Sequence, residues 1–237
     1  MLLVRFIVMT IVSTMFISYT ADAQGFLKRF GLKKESALGN DTVSKGLKEA
    51  LTKGIERAVN STGKTDGFFS NEHIKIPIPK ALLRIEGPLR SAGYGPQIDD
   101  FVLSMNRAAE AATPLAKEIF IATITSMTLK DAEAILKGND TAATDYLNKH
   151  TRKNLTESFA PQITKTMNEF EVARKYKAVM GKYSSLPFGQ KKLEKKVEEY
   201  TTEKSLDGLF YVLGQEEKRI RTEPAARTTE LLRKIFE

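Results

Sequence analysis

The stretch that decides the fold of this 237-residue chain is PQIDDFVLSMNRAAEAA, residues 96–112. Its apolar residues recur at intervals of three or four, which is the spacing that aligns them along one face of an α-helix. Pro96 suits the start of a helix, because the first turn does not use its backbone N–H groups. The apolar face comprises Ile98, Phe101, Val102, Met105, Ala109 and Ala112. The stretch therefore predicts an amphipathic helix that packs against neighbouring helices.

Two further helices and one extended segment are predicted before residue 96. Apolar residues spaced four apart form a single stripe from Val43 onward, and Gly63 is available as a stop. Another helix is predicted over residues 81–92, ending at Gly93. Residues 74–79 (IKIPIP) alternate apolar side chains with lysine and proline, a pattern that disfavours a helix and forbids a central strand. We expect this segment, called the arm below, to lie extended over the helices.

Helix signals also dominate directly after residue 112. Pro114 is expected to open a helix that runs through about Met127. Thr128 and Asp131 then form a start that resembles a capping box, in which each residue bonds the backbone N–H of the other. This start predicts a short helix that stops at Gly138.

The C-terminal half is predicted to be helical as well. Asp140 is expected to cap the helix that follows it, and Pro161 is expected to divide or kink the helical stretch over residues 152–183. Residues 191–221 predict a charged helix that carries an apolar patch. Pro224 is expected to open a last short helix.

Strand patterns are nearly absent from this sequence, and no internal repeat stands out. With 41% hydrophobic and 28% charged residues, the chain has the composition of a folded globular protein. We therefore predict an all-α fold, a single compact, bundle-like domain of eight to ten helices over residues 43–237, with the arm as its extended, proline-containing part. The expected core is lined by Leu51, Phe101, Met105, Ile119, Leu136, Phe159, Leu209 and Leu231.

The first residues carry the signals of an exported protein. Residues 6–17 are almost entirely apolar, but this run is shorter than the roughly 20 residues that a membrane span needs. The sequence Ala21-Asp22-Ala23 then places small residues where a signal peptidase cleaves. We predict a signal peptide over residues 1–23, a flexible basic leader over residues 24–42, and a periplasmic location. Because the chain has no cysteine, it is not predicted to be a lipoprotein.

The charge of the chain bears on its partners. The formal net charge is +8, and cleavage after Ala23 would leave it unchanged, because one basic and one acidic residue would be removed. An exported protein does not meet cellular nucleic acid, so no nucleic-acid partner is predicted. We expect an envelope protein, or an anionic small molecule or lipid, as the partner. The basic leader, residues 24–42, is also suited to peripheral contact with a membrane surface.

The most informative polar residues lie on the alanine-rich helix quoted first. Asn106 and Glu110 are four residues apart and share one side of this helix, with Arg107 beside them. Small neighbouring residues let another helix approach closely, so these polar groups must find partners. The candidate partners elsewhere in the chain are Asp140, Thr141, Arg227 and Thr228.

Three hypotheses fit this set of polar residues. It can be a structural network that fixes how the helices pack, or a pocket in which Arg107 and Arg227 hold an anion. It can also serve a hydrolase in which Glu110 or Asp140 acts with a nearby threonine. Known catalytic, cofactor-binding and metal-binding motifs do not occur, and the two histidines are isolated, so no catalytic residue, metal or cofactor is predicted. The favoured function is a non-catalytic binding or interaction module, with the arm or the charged helix contacting another envelope protein.

Several blocks of the sequence, taken in order, resemble one known family. They are DGF at 66–68, IPIP at 76–79, MNRAAEAA at 105–112, DTAAT at 140–144, LDGLF at 206–210 and ARTT at 226–229. Together, over roughly residues 44–236, they resemble the exported bacterial proteins catalogued as domain of unknown function 4197. The resemblance implies an exported helical domain, and it implies no activity and no site residues. One departure is Asn139, which stands where the family pattern leads us to expect a second glycine.

Overall fold

The structure is a computed structural model of the chain, and it describes residues 40–169, 196–227 and 233. These residues form seven α-helices: α1 (Asn40–Thr62), α2 (Lys80–Leu89), α3 (Gly95–Ala112), α4 (Ala116–Ser126), α5 (Leu129–Leu136), α6 (Ala142–Glu169) and α7 (Val197–Thr222). A π-helical turn spans Arg90–Tyr94, and two 3-10 turns span Thr113–Leu115 and Pro224–Ala226. No strand occurs in this part of the chain, and the prediction of an all-α fold is confirmed.

The core forms where α3, α6 and α7 pack against one another, with α4 lying against α6. Of the predicted core residues, Leu51, Phe101, Met105, Phe159 and Leu209 are buried as expected. Ile119 and Leu136 also line the core, but they are only partly buried and pack against it from outside the fully buried cluster. Leu231 lies outside the described residues.

The arm is extended and lies over the helices, as predicted. Its three isoleucines, Ile74, Ile76 and Ile78, are each at most 5% exposed, while Lys75 and Pro77 between them face solvent. The alternation buries one edge of the segment and leaves the other in water, which is the arrangement that the period of two predicts. Pro79 ends the arm directly before α2.

The helix boundaries follow local signals closely at two places. Thr128 and Asp131 form the predicted capping box at the start of α5, with the side chain of each accepting from the other's backbone N–H. Near the predicted stop at Gly93, α2 ends at Leu89 and passes into the π-helical turn. Gly93 has a φ of 89°, a conformation that L side chains rarely adopt, and it separates this turn from α3.

Pro161 was predicted to divide or kink its helix; α6 runs from Ala142 to Glu169 with Pro161 inside it, so the helix is not divided there. Pro161 and Glu157, whose carbonyl loses its N–H partner to the proline, are both exposed residues of α6, a side of the helix on which water can hydrate a free carbonyl. Phe159 and Ile163, two residues before and two residues after the proline, are fully buried, so they anchor α6 to the core on both sides of Pro161. Tertiary packing therefore overrides the local preference for a break.

A close approach explains one glycine of α7. A Cβ atom added at Gly208 would lie 2.6 Å from Cε1 of Phe68 and 3.0 Å from Cβ of Ile74. Both neighbours are buried, so neither can move aside freely. We expect Gly208→Ala to lower the free energy of unfolding by about 1–3 kcal/mol, because overpacking a filled core forces its side chains to shift. Urea denaturation followed by circular dichroism measures this loss.

Gly54 in α1 provides the matched control. An added Cβ there would meet only Cδ1 of Ile220, at an ordinary contact distance of 3.7 Å. Gly54→Ala should therefore stabilise the protein by up to about 1 kcal/mol, because alanine favours a helix over glycine. If Gly208→Ala also stabilised the protein, the close packing of Phe68 against α7 would be refuted.

An ion pair joins α6 to α7. Asp207 accepts from Nη2 of Arg152 at 2.5 Å and from Nζ of Lys204 at 2.9 Å. Burial raises the pKa of Asp207, but the hydrogen bonds and charges of Arg152 and Lys204 outweigh it and hold the pKa below its ordinary value. A carboxylate whose pKa is lowered on folding stabilises the fold above its unfolded pKa, and this contribution is lost as the pH falls through the folded pKa.

We expect Asp207→Asn to cost a few tenths of a kcal/mol to about 1 kcal/mol at pH 7, since the group is partly exposed to solvent. The difference between the variant and the wild type should vanish once the pH falls below the lowered pKa of Asp207 in the folded protein, where the wild-type carboxylate is itself protonated. Urea midpoints measured from pH 7 down to pH 2 test this. A difference that stays constant over the whole range would contradict it.

Among the described residues, no helix is both long enough and apolar enough to cross a membrane. The predicted signal peptide and residues 24–39 of the predicted leader lie outside the described residues, as do residues 191–195 of the predicted charged helix. The remainder of that charged helix corresponds to α7.

Candidate functional site

Asn106 on α3 holds the arm in place. Its Oδ1 accepts from the backbone N–H of Ile76 at 2.8 Å, and its Nδ2 donates to the carbonyl of Ile76 at 2.9 Å and to that of Val102 at 2.8 Å. Asn106 is fully buried, and its amide bonds both backbone groups of Ile76, the least exposed of the three arm isoleucines, as a neighbouring strand would. This side chain has a structural role.

Glu110, one turn further along α3, binds the loop that follows α1. Its Oε1 accepts from the backbone N–H groups of Phe68 at 3.1 Å and Phe69 at 3.2 Å. Its Oε2 accepts from Nη1 of Arg107 at 2.7 Å. Glu110 is only 4% exposed, and both of its oxygens are bonded inside the protein. A buried charge that is bonded in this way is held in one position.

Arg107 extends the network to the surface. Its Nη2 donates to Oδ1 of Asp66 at 2.6 Å, and its guanidinium lies 5.8 Å from the ring centre of Phe69. Asp66 has a positive φ of 64°, which is uncommon outside glycine. An added Cβ at the following Gly67 would lie 2.5 Å from the carbonyl oxygen of Thr62. The ion pair therefore helps to hold a tight turn between α1 and the arm.

A second buried carboxylate, Glu217 on α7, binds the start of α6. Its oxygens accept from the backbone N–H groups of Ala143 at 2.9 Å and Thr144 at 2.8 Å, and from the Thr144 hydroxyl at 2.8 Å. Arg221 donates to the same carboxylate through Nε and Nη2, and to the carbonyl of Ile135 at the end of α5. A negative charge at a helix N-terminus is favourable, and it satisfies amides that the helix leaves free.

Glu217 and Asp66 were missed in the sequence. Glu217 follows another glutamate in a charged stretch, and Asp66 belongs to an Asp-Gly turn. The one sequence signal was for Asp66, which belongs to the DGF block that resembles the family. No local pattern distinguishes a buried glutamate from its exposed neighbours, because burial depends on which residues pack against it.

The remaining candidate residues lie around the second carboxylate. Asp140 is exposed, and Glu217 binds the first amides of α6, so the prediction that Asp140 caps this helix is wrong. Thr141 lies beside α7, 3.5 Å from the position of a Cβ at Gly214. Arg227 donates to the carbonyls of Ile220 and Arg221 at the end of α7. Thr228 lies outside the described residues.

The predicted site residues thus divide into two groups. Asn106, Arg107 and Glu110 act together at the arm, whereas Thr141 and Arg227 lie near Glu217. Arg107 and Arg227 have different partners. Arg107 bonds Asp66 in the turn after α1, whereas Arg227 bonds the carbonyl of Arg221 at the end of α7. Binding of an anion by these two arginines remains a prediction.

Buried polar side-chain atoms in the described part of the chain all have hydrogen-bond partners. No group of three or more histidine, aspartate or glutamate side chains is placed to hold a metal ion among those residues. The apolar crevice beside Glu217 has a volume of about 20 Å³, which is room for a single water molecule.

Two open grooves are larger. One, of about 540 Å³, lies between the arm, α2 and α3, and we call it the arm groove. Its floor is apolar and its rim carries charges of both signs. The floor consists of Phe69, Pro77, Ile78, Leu83 and Val102, and the rim of Glu72, Lys75, Glu86, Arg90 and Asp99.

Three of the rim charges of the arm groove are fixed by mutual contacts. Arg90 donates to Glu86 at 2.9 Å and to Asp99 at 2.7 Å, which lowers the pKa of Asp99. Lys75 places its Nζ 4.1 Å from the ring centre of Phe69. Leu83 is 50% exposed and lines the groove.

The other groove, of about 630 Å³, lies between the second half of α6 and the first half of α7. Threonines and charged side chains line most of it, including Arg152, Glu198 and Glu203, and its apolar part is confined to Ala160 and Leu206. The arm groove differs from it in having five apolar lining residues, Phe69, Pro77, Ile78, Leu83 and Val102.

No curated protein and no solved structure matches this chain at a significant level. The sequence profile of one family, described as a protein of unknown function, DUF4197, matches residues 37–237. This match covers the helices, the arm and both buried carboxylates, and it confirms the resemblance seen in the sequence blocks. The chain belongs to the DUF4197 family of proteins of unknown function.

Proposed function

We propose that this protein is an exported, non-catalytic interaction module of the bacterial envelope, which binds another protein surface through the arm groove. The observation that carries this proposal is the arm groove itself, which has a volume of about 540 Å³ and combines five apolar lining residues, including the half-exposed Leu83, with five charged ones. An apolar centre surrounded by a polar rim is the usual anatomy of a protein interface.

The positions of the ionisable residues support binding rather than catalysis. Glu110, the carboxylate considered as a hydrolase base, is buried and has both oxygens bonded by amides and Arg107. A general base must reach a substrate proton, directly or through one water. Asp140 is exposed and lies in a turn, apart from Glu110 on α3. The cluster that suggested an enzyme is therefore explained by the way it holds loops and helix ends.

The proposed location rests on the N-terminal sequence. An apolar run over residues 6–17 followed by Ala21-Asp22-Ala23 has the order of a cleavable signal peptide. We expect the full chain, expressed in a Gram-negative bacterium, to be released by osmotic shock with Gln24 as its first residue. Intact mass spectrometry of the released protein tests this. A protein that keeps Met1 and stays in the cytoplasm would refute export.

Binding is tested by placing a photo-crosslinking amino acid at Leu83 in intact cells, with the same residue at Leu129 as the control. Both leucines are about half exposed, but only Leu83 borders the arm groove. Crosslinks of defined mass from Leu83, and none from Leu129, are expected. Equal labelling at both positions, or none at either, would contradict a binding role for the groove.

A further inference from the structure

We infer that residues 80–94, which comprise α2 and the π-helical turn after it, form a flap that opens as a unit while the other helices stay folded. The flap supplies one wall of the arm groove through Leu83, Glu86 and Arg90. The arm, the loop before it and α3 supply the other lining residues, so opening of the flap changes the width of the groove. That the flap opens does not depend on the proposed function, whereas its role at the groove rests on that function.

The flap is anchored to the core along one narrow stripe. Leu82 and Leu89 are seven residues apart, which places them on the same face of α2, and both are fully buried. Most of the other described side chains of the flap are exposed, and none in the turn Arg90–Tyr94 is buried. Among the described residues, α2 packs chiefly against this turn, whereas α3, α6 and α7 pack against one another. A segment with few buried contacts opens at a lower free-energy cost than the core does.

Both ends of the flap lie at breaks in the helical backbone. Pro79 has a ψ of 139°, so the chain enters α2 from an extended conformation. At the other end, Gly93 has a φ of 89° and separates the π-helical turn from α3. An added Cβ atom at Gly93 would meet nothing within 4 Å, so this position is not packed against another segment. Hinges are residues at the ends of elements that absorb changes in φ and ψ, and these two positions meet that description.

An ion pair clips the flap to α3. Arg90 donates from Nη2 to Oδ1 of Asp99 at 2.7 Å, and from Nε to Glu86, one turn earlier on α2, at 2.9 Å. The side chains of Arg90 and Asp99 are 39% and 65% exposed, so water screens their attraction. Loss of this pair should therefore raise the open population by no more than about fivefold. The clip favours the closed flap without locking it.

Native-state hydrogen exchange of the processed full chain tests for the flap. The reporter is the backbone N–H of Arg90, which donates to the carbonyls of Glu86 and Gly87. We expect it to exchange at least about a hundredfold faster than the amides of α3 from Phe101 onward, which open only with the whole protein. Low concentrations of urea should accelerate exchange in α3 but hardly in the flap, because opening the flap exposes little surface. Equal rates with equal urea dependence in both segments would overturn the inference.

Substitution of Asp99 tests the clip. Asp99→Asn removes the charged partner of Arg90 and should speed exchange at Arg90 by up to about fivefold, with no matching change in α3. Glu72→Gln is the matched control, because it removes an acidic charge from the opposite wall of the groove. It should leave exchange at Arg90 unchanged. An equal effect of both substitutions would mean that the Arg90–Asp99 pair does not hold the flap.

Substitution of Gly93 tests the hinge. Gly93→Ala puts a Cβ atom on a residue whose φ of 89° is disfavoured for L side chains, so it destabilises the closed flap. Exchange at Arg90 should become about five- to thirtyfold faster. Gly54→Ala in α1 is the control and should not speed it. Urea denaturation of each variant shows whether it is folded. Acceleration of the flap and of α3 by the same factor would indicate a loss of global stability and refute the hinge.

Failure of the inference can be told apart from failure of the proposed function. A flap that exchanges faster than the core, in a protein that gives no crosslinks from Leu83 in cells, would support the flap and refute the binding role of the groove. A flap that exchanges only with the core, in a protein that does give those crosslinks, would refute the flap and leave the interaction module standing.

Discussion

Glu110→Ala is expected to lower the free energy of unfolding by about 3–5 kcal/mol, as does removal of one partner from other buried ion pairs. The substitution leaves Arg107, which is only 22% exposed, without its buried partner. It also leaves the backbone N–H groups of Phe68 and Phe69 without an acceptor. Because Phe68 is fully buried and packs against Gly208 of α7, the loop cannot simply turn these amides toward water.

Urea denaturation measures this loss, and hydrogen exchange locates it. The amides of Phe68 and Phe69 should exchange much faster in the variant, whereas amides in the middle of α6 should change only as far as global stability falls. Glu110→Gln should give an intermediate loss, since it keeps an oxygen acceptor but removes the charge that pairs with Arg107. Glu118→Ala, at an exposed position of α4, should stay within about 0.5 kcal/mol of the wild type. A loss below about 1 kcal/mol for Glu110→Ala would mean that the carboxylate does not anchor the loop.

Glu217→Ala is the second substitution with a large expected effect, again about 3–5 kcal/mol. It removes the acceptor of the first amides of α6 and the partner of Arg221, whose side chain is only 11% exposed. Arg221 also bonds the carbonyl of Ile135, so the end of α5 loses an ordered neighbour at the same time.

Urea denaturation and hydrogen exchange test this prediction too, but different backbone amides report on it. The amides of Ala143 and Thr144 should lose their protection from exchange, while those of Phe68 and Phe69 should not lose it selectively. Glu223→Ala, an exposed glutamate just past α7, is the control and should be nearly neutral. Selective exchange at Phe68 instead of Ala143 would show that the two carboxylates do not act on separate segments.

The two glutamates share one arrangement. Each is buried, accepts from two consecutive backbone amides of a distant segment, and is paired with an arginine three or four residues away on its own helix. Each segment so bound lies against a glycine of α7, Phe68 against Gly208 and Thr144 near Gly214. The carboxylates thus fix where one loop and the start of α6 dock on α7. Because both buried carboxylates are bonded within the protein, we expect binding to involve residues at the surface.

The net charge is distributed unevenly along the chain. Residues 170–195 contain seven lysines and arginines against two glutamates, and residues 28–34 add four more basic residues. The arm groove carries two basic and three acidic residues at its rim. An anionic small molecule or lipid remains a predicted partner, and the charge distribution leads us to expect it at those basic stretches rather than at the groove.

Features that depend on a few neighbouring residues were predicted well. The stripe on α1, the apolar face of α3 and the capping box at Thr128 each follow from spacing within one or two turns. The buried alternation of the arm follows from its period of two. Asn106, Arg107 and Glu110 were selected because polar groups on an apolar face must be bonded, and they are.

Predictions that depend on contacts between distant segments of the chain were less successful. Asp140 is the local choice to cap α6, yet Glu217, more than seventy residues away, binds its amides. Pro161 is a local signal for a break, yet the packing of Phe159 and Ile163 carries α6 through it. In both cases a tertiary contact stronger than the local preference decides the outcome.

The sequence by itself determined that this protein is helical, where most helices begin and end, which faces are apolar and to which family the chain belongs. Only the tertiary structure decided that Glu110 holds Phe68, 42 residues away, and that Glu217 holds Ala143, 74 residues away. The physical reason is range. Helix periodicity is set by neighbours within one or two turns of the chain, whereas a hydrogen bond acts over about 3 Å in space and joins whichever segments the packing of the core brings together.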